Sequence, residues 1–196
     1  MSLLEKGSVY EQPSVYNQGG GGGFIVIDEV AYSTVKINGL EWICQNFMFV
    51  DKTWGNNTNG LWFNSSLNTA PHKRLLNQWG YFYTKNQVAY ITNNVDLKGF
   101  RIPTKDDFET LFSVSADDLR SVETWSNPGN NNSGLNLPPN GHYISNSFNN
   151  NITACELWSS SLDSNSDLYS YEILDSGIQR VQIVNQSYYM PIRLCR

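Results

Sequence analysis

Apolar positions in this chain come in short runs rather than long stripes. Phe24-Ile25-Val26-Ile27 has the length of a short buried strand. Thr34-Val35-Lys36-Ile37 follows and is closed by Asn38-Gly39, a dipeptide suited to the left-handed backbone of a tight hairpin turn. Glu41-Trp42-Ile43-Cys44 resumes beyond it, so 34–44 reads as a hairpin. Four further strands are expected at 157–160, 168–174, 178–184 and 188–194, with Asp175-Ser176-Gly177 as the turn between the second and third.

Helix signals lie between these strand groups. Thr84 with Gln87 is a capping-box pair ahead of Val88, Ala89 and Tyr90, and predicts a helix of about two turns. Thr104 with Asp107 is a clearer start, because Phe108, Leu111 and Phe112 then share one face. Ser115 with Asp118 repeats the device before Leu119 and Val122. Residues 51–70, and the long stretch from Trp125 to Asn151, are rich in Asn, Gly and Ser and are expected to be loop. Short helices among antiparallel strands make an α+β domain.

The first 23 residues differ in kind from the rest. Ser8-Val9-Tyr10-Glu11-Gln12 recurs as Ser14-Val15-Tyr16-Asn17-Gln18 with Pro13 between, and Gly19–Gly23 forms a flexible link. The β-branched and aromatic pairs Val9, Tyr10, Val15 and Tyr16 mark an extended peptide able to add strands to a partner. We therefore expect an anchoring arm over 1–23 and one domain over 24–196.

Composition then narrows the function classes. The chain has 196 residues, 16% charged and 13% aromatic, with a net charge of -5 and Asn far above ordinary usage. A sequence pI near 4.9 and scattered basic residues argue against a nucleic-acid groove. No apolar run approaches a membrane span, and residues 1–7 lack the apolar core of a signal peptide, so neither membrane insertion nor signal-directed export is expected.

Reactive chemistry has little to build on. Cys44, Cys155 and Cys195 are far apart and form no metal-ligand spacing, and His72 and His142 stand alone. Buried free thiols are one reading of the cysteines, and one bridge with a spare thiol is another. Asp163-Ser164-Asn165-Ser166-Asp167 begins like a calcium loop. It then places Leu168 at the sharp-turn position and Leu174 at the bidentate-acid position, so it reads as a polar turn. Asp106, Asp107 and Glu109 sit where capping explains them. No metal, cofactor or catalytic residue is expected.

Five ordered segments nevertheless resemble a known family. Val35-Lys36-Ile37-Asn38-Gly39-Leu40-Glu41-Trp42-Ile43-Cys44-Gln45-Asn46-Phe47 is similar to the opening motif of the Fibrobacter succinogenes major paralogous domain. Trp79-Gly80-Tyr81-Phe82-Tyr83-Thr84 resembles its aromatic segment, and Gly99-Phe100-Arg101-Ile102-Pro103-Thr104 its motif leading into a helix. Leu157-Trp158-Ser159-Ser160-Ser161 and Pro191-Ile192-Arg193-Leu194-Cys195-Arg196 complete the order over 35–196. The resemblance implies a C-type-lectin-like fold, shared with formylglycine-generating enzymes and variable receptor-binding proteins of phages. The calcium-lectin signatures and the reactive cysteine pair of the enzymes do not occur. In this frame Arg101 and Arg193 are expected as hydrogen-bonded struts, and Trp42, Trp79 and Trp158 as core residues with satisfied indole donors.

Binding is the activity the composition favours, since Tyr and Trp give rigid contact area while Asn, Ser and Gly adapt their hydrogen bonds. The candidate ligand-binding residues are Trp125, Asn130, Asn131, Asn132, Tyr143, Tyr169, Tyr171, Tyr188 and Tyr189; strand tyrosines in half-buried packing are the competing explanation. An arm, a glycine link and a lectin-like head describe a phage virion appendage such as a head fibre. Its expected partners are a virion shell protein and a host glycan or surface protein, and its expected state is a homo-oligomer. A bacterial cell-surface adhesin and a formylglycine-generating-like enzyme are the alternatives.

Overall fold

The computed structural model describes residues 22–49, 51, 80–145, 147–184 and 188–196. Among them three small antiparallel sheets combine with short helices in an α+β arrangement. β1 (Phe24–Ile27), β2 (Val30–Ile37) and β3 (Leu40–Ile43) form the first sheet in that order. Asn38 and Gly39 take φ of 50° and 86° between β2 and β3, the mirror-image turn that the strand twist favours.

Helix α1 (Lys85–Asn94) starts at Thr84, whose hydroxyl accepts from the Gln87 amide at 3.3 Å while Gln87 Oε1 accepts from the Thr84 amide at 2.8 Å. It runs longer than the predicted two turns. Its last residues Thr92, Asn93 and Asn94 are weak helix formers, and each donates a side-chain hydrogen bond to the carbonyl four residues back, at 2.8 to 2.9 Å. α2 (Lys105–Thr110) is capped by Thr104 and continues as a 3-10 turn over Leu111–Ser113, and α3 (Ala116–Leu119) is capped by the Ser115 hydroxyl.

The stretch expected as loop to Asn151 is more ordered than its polarity predicts. It contains the hairpin of β4 (His142–Ile144) and β5 (Ser147–Asn149), and Leu135, Leu137 and Asn140 are buried. Leu137 is drawn in by a parallel bridge to Arg120. β6 (Ala154–Leu162), β7 (Leu168–Leu174) and β8 (Gln179–Val184) form the third sheet. In the β6–β7 turn, Asp163 Oδ1 accepts the amides of Asn165 at 2.9 Å and Asp167 at 2.7 Å, a local turn bond.

Residues 188–196 are not the regular strand the pattern predicts. They run as an extended strap, bridging Tyr143, Tyr83, Trp42 and Arg101 in turn. Strap carbonyls of Pro191, Ile192 and Leu194 accept from Trp158, Phe47 and Ile43 at 2.7 to 3.0 Å, so one segment ties the first sheet, the third sheet and the 47-region together. Met190, Ile192 and Leu194 enter a core with Ile27, Phe47, Ile91 and Trp158, while Cys195 enters a second core with Trp42, Phe108, Leu157 and Tyr171.

Both expected tryptophans that are described here fill these cores. The Trp158 indole donates to the Tyr83 carbonyl at 2.7 Å, but the buried Trp42 indole finds no acceptor among the described residues. Trp79 lies outside the described residues. Arg193 is fully buried, its guanidinium donating to the carbonyls of Ile43 at 3.2 Å and Leu135 at 3.3 Å. Burial lowers its pKa to about 10, so it stays charged at neutral pH. Arg101 is instead half-exposed and pairs with Asp107 through both terminal guanidinium nitrogens.

Candidate functional site

The structure distributes the sequence-predicted contact residues over several elements and removes three from the surface. Trp125 is 5% exposed: its indole donates to the Leu137 carbonyl at 3.0 Å and the Arg120 guanidinium lies 5.2 Å from its ring. Tyr171 is fully buried, stacked on Phe108 at 4.9 Å with its hydroxyl on Gln179. Tyr143 is buried against Phe148 and Tyr189. Side chains with so little access pack the domain and present no face to a ligand. Tyr169 is half-buried beside the Lys105 ammonium, and Tyr188 is half-buried against the His142 ring at 4.6 Å. Tyr189 is half-buried and shares backbone hydrogen bonds with Tyr143. Val9, Tyr10, Val15 and Tyr16 lie outside the described residues.

Asn130, Asn131 and Asn132 build a loop against α3. The amides of Asn130 and Asn131 donate to the Asp117 carbonyl at 2.8 and 3.3 Å, and the Asn132 side chain donates to Asp118 at 2.9 Å. Hydrogen bonds from Ser115, Asn130 and Asn132 hold the Asp118 carboxyl below its ordinary pKa. Gly129 makes this closure possible, because a Cβ there would lie 2.6 Å from the carbonyl oxygens of Arg120 and Asp117.

Beside this loop is a cleft of about 270 Å³ between α3 and the β7–β8 turn, lined by Ser115, Asp117, Arg120, Asn127, Asp175 and Ser176, with Ala116 and Gly177. Arg120 is its organising residue. The side chain is 1% exposed; Nη1 donates to the carbonyls of Leu174 at 3.3 Å and Asp175 at 2.5 Å, and Nη2 donates to Asp117 Oδ1. The Asn127 amide also donates to the Asp175 carbonyl, at 3.1 Å, and the Ser126 hydroxyl donates to Asp175 Oδ2. A rigid buried cation thus holds two polar edges apart, with carboxylates, an amide and hydroxyls facing the space between.

No family model, curated protein or solved structure matches this chain.

A second polar cluster lies on the third sheet. Glu156 and Glu172 are both buried and face each other in register across β6 and β7. Glu156 receives His142 Nδ1 at 2.8 Å and the Asn150 amide at 3.1 Å, while Glu172 is paired with Arg180 on β8. Each carboxylate is therefore matched to its own donor, and the cluster pins β4 to the sheet. The cysteines form no disulfide; burial pushes the Cys44 thiol up to about 11 and the Cys195 thiol up to about 12, the reverse of a reactive thiolate. Among the described residues no group of His, Cys, Asp and Glu could hold a metal ion.

Sequence reasoning did not find the cleft. Ser115 and Asp175-Ser176-Gly177 read locally as a cap and a turn, and nothing in the spacing brings 117 beside 175. The usable signal was Arg120, an ionised residue set directly after Leu119 and close to Val122.

Proposed function

We propose that this chain is a binding protein displayed on a phage particle, a head fibre or similar appendage, anchored through residues 1–23 on a shell protein. Its C-type-lectin-like head takes a glycan in the Arg120 cleft. The cleft supports this reading: its volume lies just below the range of ordinary ligand pockets, about 300–1,000 Å³, and so admits roughly one sugar ring. Fixed carboxylate, amide and hydroxyl groups are the partners that vicinal sugar hydroxyls need.

A glycan array probed with the full chain and with an Asn127→Ala, Ser176→Ala double variant tests the reading. Loss of two hydrogen bonds, each about 1 kcal/mol, should weaken every captured glycan by tenfold or more. Unchanged capture by the double variant would move the binding surface elsewhere.

A further inference from the structure

Each three-stranded sheet has two outer strands, and the strap closes one of each. The free side of β3 is taken where the Ile43 amide donates to the Leu194 carbonyl at 3.0 Å and the Glu41 amide to the Arg196 carbonyl at 2.8 Å. On β6 the Trp158 amide donates to Pro191 at 3.0 Å and the Ser160 amide to Pro103 at 2.7 Å. β1 and β8 keep one side without a neighbouring strand among the described residues. β8 carries Gln179, Arg180 and Gln182, polar and charged side chains of the kind that keep an edge single. β1 reads Phe-Ile-Val-Ile, with no charge, proline or bulge to guard it.

The register shows which groups of β1 point outward. The Thr34 amide donates to the Gly23 carbonyl at 2.8 Å, whereas the Ser33 carbonyl, opposite Phe24, accepts the Cys44 amide just past β3 at 2.8 Å. Alternation along an antiparallel pair then turns the amides and carbonyls of Ile25 and Ile27 toward β2, and those of Phe24 and Val26 away from it. The side chains of Phe24 and Val26 also share the face away from the core, 78% and 49% exposed, while Ile25 and Ile27 pack into the first core.

We propose that β1 is a self-association edge: two copies of this chain join β1 to β1, antiparallel, about a two-fold axis through Ile25, and make one continuous sheet. A second copy is the occupant because the edge complements itself. With Ile25 on the axis, Phe24 lies opposite the partner's Val26, and the symmetry repeats the pairing. Both residues aim their backbone groups outward, so each pairing exchanges two hydrogen bonds and the ladder makes about four. On the outer face the same pairing sets an exposed aromatic ring beside a β-branched side chain, a favoured cross-strand pair. Charge agrees with this register. Asp28 and Glu29, the acids of the β1–β2 turn, fall beyond the ladder and opposite the partner's glycine link, so no like charges meet.

Sedimentation velocity of the full chain from about 1 μM to about 1 mM tests the proposal, with Val26→Pro, Phe24→Lys and Val15→Pro alongside. Monomer should give way to dimer as concentration rises. Amide exchange should slow with it at Phe24 and Val26, while Ile25 and Ile27, already held by β2, are protected throughout. Val26→Pro removes an outward amide that β2 does not use, so it should weaken dimerisation about tenfold or more and leave the thermal melt of the dilute protein nearly unchanged. In a mixture of isotope-labelled and unlabelled chains, filtered NOEs should join the Phe24 ring to the partner's Val26 methyls. A monomer at every concentration would overturn the proposal, as would a dimer that lacks this contact or that Val26→Pro and Phe24→Lys leave intact. Loss of the dimer in Val15→Pro as well would give the edge to the segment around Val15 instead. Protection of Phe24 and Val26 in a monomer would show that the chain covers its own edge, and also contradicts pairing between copies. If Val26→Pro fails to fold, the filtered NOEs and the exchange of the unaltered chain decide.

Discussion

Asp107 joins a helix cap to an ion pair. Its carboxylate accepts the Thr104 amide at 2.6 Å and the Thr104 hydroxyl at 2.7 Å while facing both terminal nitrogens of Arg101. Burial alone would raise its pKa, but the Arg101 guanidinium, the Thr104 amide and the Thr104 hydroxyl together take it down to about 2. The stability this contributes is fully present above the unfolded value near 4 and is lost as pH falls from there through about 2. Urea melts between those limits should show a stability loss that Asp107→Asn largely abolishes. Equal pH slopes for both proteins would contradict the assignment. Gly129 is the second residue with a sharp consequence. Gly129→Ala forces its new methyl against two backbone carbonyls 2.6 Å away, so thermal melts should show a loss of about 1–3 kcal/mol.

At the scale of elements, legibility followed the range of the interaction. The hairpin turn at Asn38-Gly39 and the caps at Thr84, Thr104 and Ser115 are local chemistry, and each was readable from two to four residues. β4 was not, because His142 and Asn150 owe their places to Glu156, which lies on another strand. The strap at 188–196 escaped for the same reason: its alternating pattern is real, but its partners are four separate segments rather than one neighbouring strand. Trp125 and Tyr171 showed only that they are aromatic; what covers them, Leu137 and Arg120 in one case and Phe108 in the other, is tertiary. The Glu156 cluster yields a test of its own element. Glu156→Ala leaves the His142 and Asn150 donors unpaired, so the domain should lose about 2–4 kcal/mol. Amide exchange should then accelerate in β4 and β5 ahead of β6; uniform acceleration would show that the cluster does not pin the hairpin in particular.

Across the whole molecule, two cores meet at the C-terminal strap, and the longest helix among the described residues has ten residues, too short to cross a membrane. The cleft sits where two units of this framework touch: the α3 loop, held by Gly129 and Asn130, and the β7–β8 turn, held by Arg120. Because both edges belong to packed elements, the cleft is formed before any ligand arrives, which spares binding the cost of ordering it. The central claim is that this preformed cleft is where the domain makes contact. It is tested most directly by mapping backbone amide shifts of the full chain on addition of the glycan it captures best. The account predicts shifts confined to residues 115–120, 126–129 and 175–177. Shifts centred on His142, Tyr188 and Tyr189, with residues 115–120 unmoved, would contradict it.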